Sequence, residues 1–375
     1  MCRGAAGDDE VVAPRPGLPE YRGMEILAPM VRASSLPLRL TCLHHGADLV
    51  YCGALIDHQI LQTIRMEDDA FGRVDFVSPR DNRAIFSTCE QERERVIFQL
   101  GTADAAKATQ AALHVCRDVR GIDLNMGCPE SFLTDNGMGS KLLGQSDLVA
   151  DILMSLRREL PAECAVTCKI RMLETAAKTR DFMQLCERSG AAAIAVHCRT
   201  LEERHKDPAR WSELSDLCRA VSIPVIANGD LCSRQHIRDF WRNVGGTAGV
   251  QDGVNSEDGY CSSASLPSAV MIARGALHNP AIFHRGAAEG VDTTPAIDEV
   301  MRNYIRTAVR VNGSFCNIKW TLAEMMNGPA CKAFDGLRGR ARGRLKQALA
   351  AAKSTAELCA VFGVEVGGLP GGSLE

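Results

Sequence analysis

The sequence predicts an α/β fold: a (β/α)8 TIM barrel followed by a small C-terminal helical domain. Three observations lead there. Eight short apolar runs, rich in β-branched residues, recur between residues 25 and 275 without the alternation of a half-exposed sheet. Such strands are buried on both faces, as in a parallel sheet. Helical stretches separate the runs, and eight strand–helix repeats in roughly 250 residues match a closed barrel. After about residue 293 strand signals stop and only helical patterns remain.

The runs occupy 25–30, 48–53, 96–100, 121–127, 165–171, 193–199, 223–229 and 268–275. Residues 104–116 read as an alanine-rich amphipathic helix. Residues 146–159 read as another, with Asp147 near its start, where a carboxylate suits the helix dipole. Residues 181–189 form a third, stopped by Gly190. Segment 75–88, with Pro79, Asp81 and Asn82, reads as a small hairpin inserted before the third strand. Segment 244–265, rich in Gly, Ser and Asp, reads as a surface insertion between the seventh and eighth strands. Helices are expected over 297–311, 317–326 and 345–362. The expected division is a disordered tail (1–23), the barrel (24–290), the helical domain (293–364) and a flexible tail (365–375).

The chain has 375 residues, 46% hydrophobic and 24% charged, which excludes collagen-like, coiled-coil and fully disordered classes. Its formal net charge is −3, so a nucleic-acid partner would have to meet a local basic patch. The sixteen cysteines are scattered with no C-x-x-C pair, which argues against a disulfide scaffold or zinc ribbon and for reduced thiols. No metal site is expected. No run approaches the roughly 18 apolar residues of a membrane span. The acidic N-terminus (Asp8, Asp9, Glu10) suits neither a signal nor a transit peptide. A cytoplasmic monomer is expected, with the nucleus as the alternative location.

In a barrel the chemistry belongs at the C-terminal strand ends. Those ends carry Pro29, Met30 and Arg32, then Gln99, Asn125 and Cys128, Lys169 and Arg171, His197 and Arg199, Asn228 and Gly229, and Arg274 with Gly275. A ring of polar and cationic groups on buried strands opposes stability and calls for a ligand. The seventh and eighth ends, Asn228-Gly-Asp230 and Ala273-Arg-Gly275, place glycines beside a cation where barrels commonly hold a phosphate. Turn glycines with a surface arginine are the bland alternative. Cys128, in Asn125-Met-Gly-Cys-Pro129, is lifted from its strand into a glycine-rich loop; a thiol near its ordinary pKa can act as a general acid at neutral pH. The alternative is a buried structural cysteine. Lys169 inside a buried strand implies an anionic partner, either a ligand or a barrel carboxylate such as Asp123.

These motifs resemble the tRNA-dihydrouridine synthases. The resemblance rests on Leu27-Ala-Pro-Met-Val-Arg32, Phe98-Gln-Leu-Gly101, Asp123-Leu-Asn-Met-Gly-Cys-Pro129, Cys168-Lys-Ile-Arg171, Ala195-Val-His-Cys-Arg199, Ile226-Ala-Asn-Gly229 and Ala273-Arg274, and spans roughly residues 27–364. The stretch Ala47-Asp-Leu-Val-Tyr-Cys52 and late segments near 304–309 and 360–363 resemble the eukaryotic class acting on tRNA position 20. The resemblance implies FMN at the barrel mouth, reduced by NADPH. Pro29, Met30, Val31, Arg32 and Gln99 would face the flavin, with Lys169 at its N1–O2 edge and His197 in contact. Asn228, Gly229, Asp230, Ala273 and Arg274 would surround the phosphate. It implies hydride addition to C6 of a uracil, a proton from Cys128 to C5, and substrate contacts from Asn125, Arg171 and Arg199. Arg338, Arg340 and Arg342, in a basic stretch reaching Lys346, would contact tRNA; a solvated basic loop is the alternative. The sequence is expected to end without the double-stranded-RNA-binding domain of vertebrate members. It departs from the family at Gly53 and Ala54, where carboxylates are usual, at Lys141 and Cys198, and in the insertion 244–265. Two other readings stay open: an FMN barrel acting on a free pyrimidine, and a non-catalytic RNA-binding barrel.

Overall fold

The computed structural model describes residues 19–204, 206–244, 266–286, 294–334 and 339–365. Nearly all of the proposed insertion 244–265, most of the N-terminal tail, Arg338 and nearly all of the C-terminal tail lie outside the described residues. The strands among the described residues are β1 (Met24–Leu27), β2 (Leu49–Tyr51), β3 (Leu55–Ile56), β4 (Ile64–Asp68), β5 (Arg73–Ser78), β6 (Arg83–Cys89), β7 (Val96–Gly101), β8 (Gly121–Met126), β9 (Ala165–Arg171), β10 (Ala193–His197), β11 (Val225–Asn228) and β12 (Ala269–Ile272). The order β2-β1-β12-β11-β10-β9-β8-β7, with β2 pairing β7, closes an eight-stranded parallel barrel. The short β3 adds to β7 beyond that ring.

The barrel closes because its strands are buried on both faces, most of them apolar on both, with polar inward residues on β7, β8 and β9. Ile26, Ala28, Leu49, Tyr51, Ile97, Ala195, Ile226 and Met271 fill its interior, with Tyr21 packed among them. Their alternate neighbours, such as Leu27, Val50, Phe98, Val196 and Ile272, pack outward under the helices. The period of two along a strand dictates this division.

The helices on and beyond the barrel are α1 (Leu36–His44), α2 (Asp57–Leu61), α3 (Ala105–Val115), α4 (Ser131–Thr134), α5 (Ser146–Glu159), α6 (Ala176–Arg188), α7 (Leu214–Arg219), α8 (Arg234–Val244), α9 (Arg274–His278), α10 (Ile297–Arg310), α11 (Phe315–Asn327), α12 (Pro329–Ala333), α13 (Arg340–Ala351) and α14 (Thr355–Phe362). Asp104 and Thr175 cap α3 and α6 by accepting from the N–H groups of Lys107 and Lys178. The C-terminal helices pack on the barrel, with Val300, Tyr304, Ile305, Leu322 and Met325 in one core with Leu38 and Leu43 of α1.

Two expectations are corrected. The inserted hairpin is a three-stranded antiparallel sheet, β4-β5-β6, turned at Gly72 and Asn82, both with positive φ. β4 escapes sequence reading because Ile64 and Met66 are more than half exposed, so its pattern shows no buried face. The helix expected over 345–362 is two helices. Ser354 accepts from the Glu357 N–H, and the Glu357 carboxylate accepts from the Lys353 N–H, so a second helix starts there.

One buried ion pair ties the insertion to the barrel. Arg39 on α1 and Glu92 before β7 are 2% and 0% exposed, with a shortest contact of 2.6 Å. Arg39 also donates to the carbonyls of Ser34 and Ser87, and Thr88 donates to Glu92. Arg39→Ala strands a buried carboxylate and should destabilise the fold by about 3–5 kcal/mol in urea unfolding. The double variant Arg39→Met/Glu92→Leu should recover most of that loss; equal destabilisation by both would deny the pair its electrostatic role.

Candidate active site

A cleft of about 710 Å³ opens over the C-terminal ends of the barrel strands. Pro29, Val31, Arg32, Gln99, Asn125, Cys128, Lys169, Arg171 and His197 line it, so five strand ends chosen from sequence converge. Gly127, Pro129, Glu130 and Phe132 complete its wall. Met30 lines a neighbouring cavity instead.

A chain of hydrogen bonds orders the floor. Thr167 Oγ1 donates to Asp123 at 2.7 Å, and Gln99 Nε2 donates to the other Asp123 oxygen at 2.8 Å. Asn125 Nδ2 donates to Gln99 Oε1 at 2.8 Å, and Asn125 Oδ1 accepts from the N–H groups of Gly127 and Cys128. Asp123 and Thr167 were not singled out as site residues. Strand periodicity could have found both, because Asp123 shares a face with Asn125 on β8, as Thr167 does with Lys169 on β9. Burial is the main cause raising the Asp123 pKa to about 6.

Lys169 stands beside this chain. Its ammonium has no hydrogen bond or ion pair among the described residues. Burial first, then the Arg171 charge, lower its pKa to about 8, while the Asp123 charge acts the other way. The barrel therefore presents to the cleft a cation without a direct partner among the described residues, its cost offset in part by Asp123.

His197 is neutral. Burial, then the charges of Lys169, Arg171, Arg199 and Arg274, push its pKa far below the usual range. Arg199 Nη1 lies 3.3 Å from His197 Nε2. A guanidinium only donates, so Nε2 accepts and the ring proton sits on Nδ1. Arg199 itself is 2% exposed, donates to the Asp207 carbonyl and pairs with Asp230. It contacts His197, and it is absent from the lining of the cleft. Arg171 donates to the carbonyls of Gly127 and Thr200 and braces the loop that carries Cys128.

Cys128 is half-buried, and burial is the leading cause of a pKa raised above the ordinary thiol value. Its carbonyl accepts from the Ser140 N–H at 2.9 Å. A side chain at Gly139, which has φ +60°, would sit 2.6 Å from that carbonyl, so glycine is required for the two arms of the loop to meet.

The expected phosphate group lies outside the lining of this cleft. Asn228 is buried and donates to the Met271 carbonyl at 2.7 Å, joining β11 to β12. Asp230, with φ +56°, gives its carboxylate to Arg199 and the Ala209 N–H. Gly275 lets α9 approach the loop after β11, where a Cβ would meet the Leu231 carbonyl at 2.7 Å. Ala273 precedes α9 and Arg274 on it is exposed. Of the basic stretch, α13 carries the described members, and on a helix their i,i+2 spacing splays them apart. Arg342 turns inward to the Met326 carbonyl, while Arg340, Arg344 and Lys346 are exposed, Lys346 donating to Asn327. Among the described residues no His, Cys, Asp and Glu group could hold a metal, and no helix is long and apolar enough to cross a membrane.

The dihydrouridine synthase family model matches residues 26–252. The chain is 35% identical over 323 residues to a tRNA-dihydrouridine(20) synthase [NAD(P)+] of Schizosaccharomyces pombe, covering 83% of this chain and 61% of that protein. It is 34% identical over 328 residues to the tRNA-dihydrouridine(20) synthase [NAD(P)+] of Saccharomyces cerevisiae, covering 82% of this chain and 78% of that one. A human tRNA-dihydrouridine(20a/20b) synthase [NAD(P)+]-like protein is 31% identical over 273 residues, covering 72% of this chain and 73% of that one.

Because the folded state disfavours the Lys169 ammonium, Lys169→Met should raise the stability of the cofactor-free protein by about 1–3 kcal/mol at pH 7. The wild type should gain on that variant as pH rises from about 8 toward the unfolded lysine value, where the unfolded state holds the extra proton. Urea unfolding at pH 7 and pH 10 checks both; a less stable variant at pH 7 would mean that the ammonium is paired internally.

Proposed function

The chain belongs to the dihydrouridine synthase family, and on that premise we propose that it is a tRNA-dihydrouridine synthase, reducing the C5–C6 double bond of a D-loop uridine with FMN and NADPH. The observation that carries this is the half-buried Cys128 thiol in one cleft with Asn125 and an unpaired Lys169 ammonium. The two yeast relatives, named for position 20 and for NAD(P)+, support that position and a nicotinamide reductant.

The residues fit FMN. An unpaired cation suits the electronegative edge of a flavin, and the neutral His197 has a free Nδ1–H to offer. The glycines of the loops after β11 and β12, with Arg274 exposed beside them, suit a phosphate. Bound there, FMN would supply the hydride chemistry, with NADPH as the reductant. This chain's own residues do the rest. Lys169 stabilises negative charge in the cleft. Asn125, fixed by Gln99, orients the uracil edge with its remaining N–H. Cys128 gives its proton to C5, quenching the enolate left by hydride addition, and regains one from solvent. The raised thiol pKa keeps that proton in place at neutral pH. Extruding the uridine from its stack opposes binding by a few kcal/mol. Arg340 and Arg344 on α13 are proposed to offset part of this through tRNA phosphates.

The decisive experiment incubates purified protein with NADPH and unmodified tRNA, follows the visible flavin spectrum and assays dihydrouridine. Flavin reduction without dihydrouridine would favour a free-pyrimidine substrate; no bindable flavin would exclude both enzyme readings. Cys128→Ala should keep flavin binding and lose roughly 10²-fold or more in turnover. In the wild type, alkylation of Cys128 should be slow at neutral pH and quicken only above the ordinary thiol range, as the raised pKa is crossed. Fast alkylation at neutral pH, or a few-fold effect of the substitution on turnover, would remove Cys128 as the acid.

A further inference from the structure

We infer that a second cavity beside the reaction cleft receives the nucleotide next to the target uridine in the RNA chain, with Val31 as the wedge between the two bases. The inference rests on the tRNA reading above. The cavity has a volume of about 420 Å³, within the usual range for a small-molecule site. It lies between the loops after β1 and β2, the strand β6 and the turn between α10 and α11. Val31 and Arg32 are the residues common to its wall and the wall of the reaction cleft, so they form the ridge between the two. A strand that delivers its uridine to the cleft must continue past that ridge.

The ridge has the form of a wedge. Val31 is 47% exposed, a large apolar side chain standing out between two cavities. Apolar side chains inserted between base steps are a general means of unstacking them. The turn behind it is stiff. Arg32 has φ +68°, its carbonyl accepts from Asn317 Nδ2 at 2.6 Å, and Asn317 Oδ1 accepts from Ser35 at 2.7 Å. Gly53 presses against the ridge from the other side, where a Cβ would stand 2.8 Å from the Met30 carbonyl.

The cavity wall suits a nucleotide. No carboxylate lines it among the described residues, and Leu36, Pro37 and Ile85 give it an apolar surface for a base. Of its four arginines, Arg39 is held by Glu92, and Arg73 donates to the carbonyls of Val311 and Asn312. Arg32, 5.6 Å over the Trp320 ring, and Arg83, exposed and 3.8 Å from Asp81, remain at the rim for phosphate. Apolar surface for a base with cations for its phosphates is the recognition chemistry of a single-stranded nucleic acid.

The test uses the flavin-loaded full chain and a tRNA with an abasic residue on either side of the target. Ala84→Trp fills the cavity from exposed β6, and Arg83→Ala removes a rim cation. Each should raise KM for tRNA about tenfold or more and leave flavin content and NADPH-driven flavin reduction within twofold of wild type. One abasic neighbour should weaken wild type by a similar factor and add nothing in Ala84→Trp, as expected when both changes remove one interaction. KM values within twofold of wild type for both variants, or abasic and Ala84→Trp effects that multiply, would overturn the inference while leaving the enzymatic reading intact. A wild type that forms no dihydrouridine would remove that reading and this inference with it.

Discussion

Asp123 is a carboxylate at the closed centre of a barrel with both oxygens occupied, one by Gln99 and one by Thr167. Because it accepts from Gln99, the Gln99 amide must face it nitrogen-first and show its oxygen to Asn125. Asn125 must then turn its own nitrogen toward Gln99 and its oxygen toward the Gly127 and Cys128 N–H groups. One buried charge thus sets the polarity of an amide relay and the seating of the thiol loop at its far end. The charge of Asp123 also acts on Lys169 nearby, opposing the burial that lowers the lysine's pKa. A protonated Asp123 would no longer enforce that direction, and its pKa near 6 places the loss of order on the acid side of neutrality.

The mouth of the barrel is therefore assembled against its own stability, with a cation left unpaired and a histidine held neutral among cations. The rest of the molecule compensates. Most strands are apolar on both faces, and the Arg39–Glu92 pair is satisfied by backbone and hydroxyl groups around it. Helices α10 and α11 contribute twice, to the core with α1 and, through Asn317, to the shape of the loop after β1.

Most of the architecture was legible because the barrel strands are continuous apolar runs, which only burial on both faces explains. The cleft was legible because polar residues at the ends of such runs have few structural roles. Much of what stayed hidden is a matter of direction. Arg199 and Arg171 lie at strand ends as expected, yet their guanidinium groups turn back to Asp207, Asp230, Gly127 and Thr200. Asp230 faces Arg199 for the same reason, and Arg342 turns to a carbonyl of α11 while Arg340 does not. Position in the chain places a side chain near a site; the hydrogen bonds it finds decide whether it serves the site or its scaffold. β4 stayed hidden because its apolar residues face solvent. The Ser354 helix start was readable in its Ser-Thr-Ala-Glu spacing and was passed over.

Cysteine abundance has a consequence of its own. Burial lifts the thiols of Cys52, Cys164, Cys198 and Cys218 to about 12 and Cys42 higher still, and a hydrogen bond with Cys186, then burial, raises Cys168. Oxidants and electrophiles attack the thiolate, so at neutral pH these sulfurs behave as small hydrocarbon-like fillers. The buried interior can be rich in cysteine and still offer peroxide little thiolate to attack, whereas Cys232 and Cys316 are exposed. The thiol at the mouth shares part of that protection, because the burial that keeps its proton available to a strong base also leaves little anion for an oxidant to find.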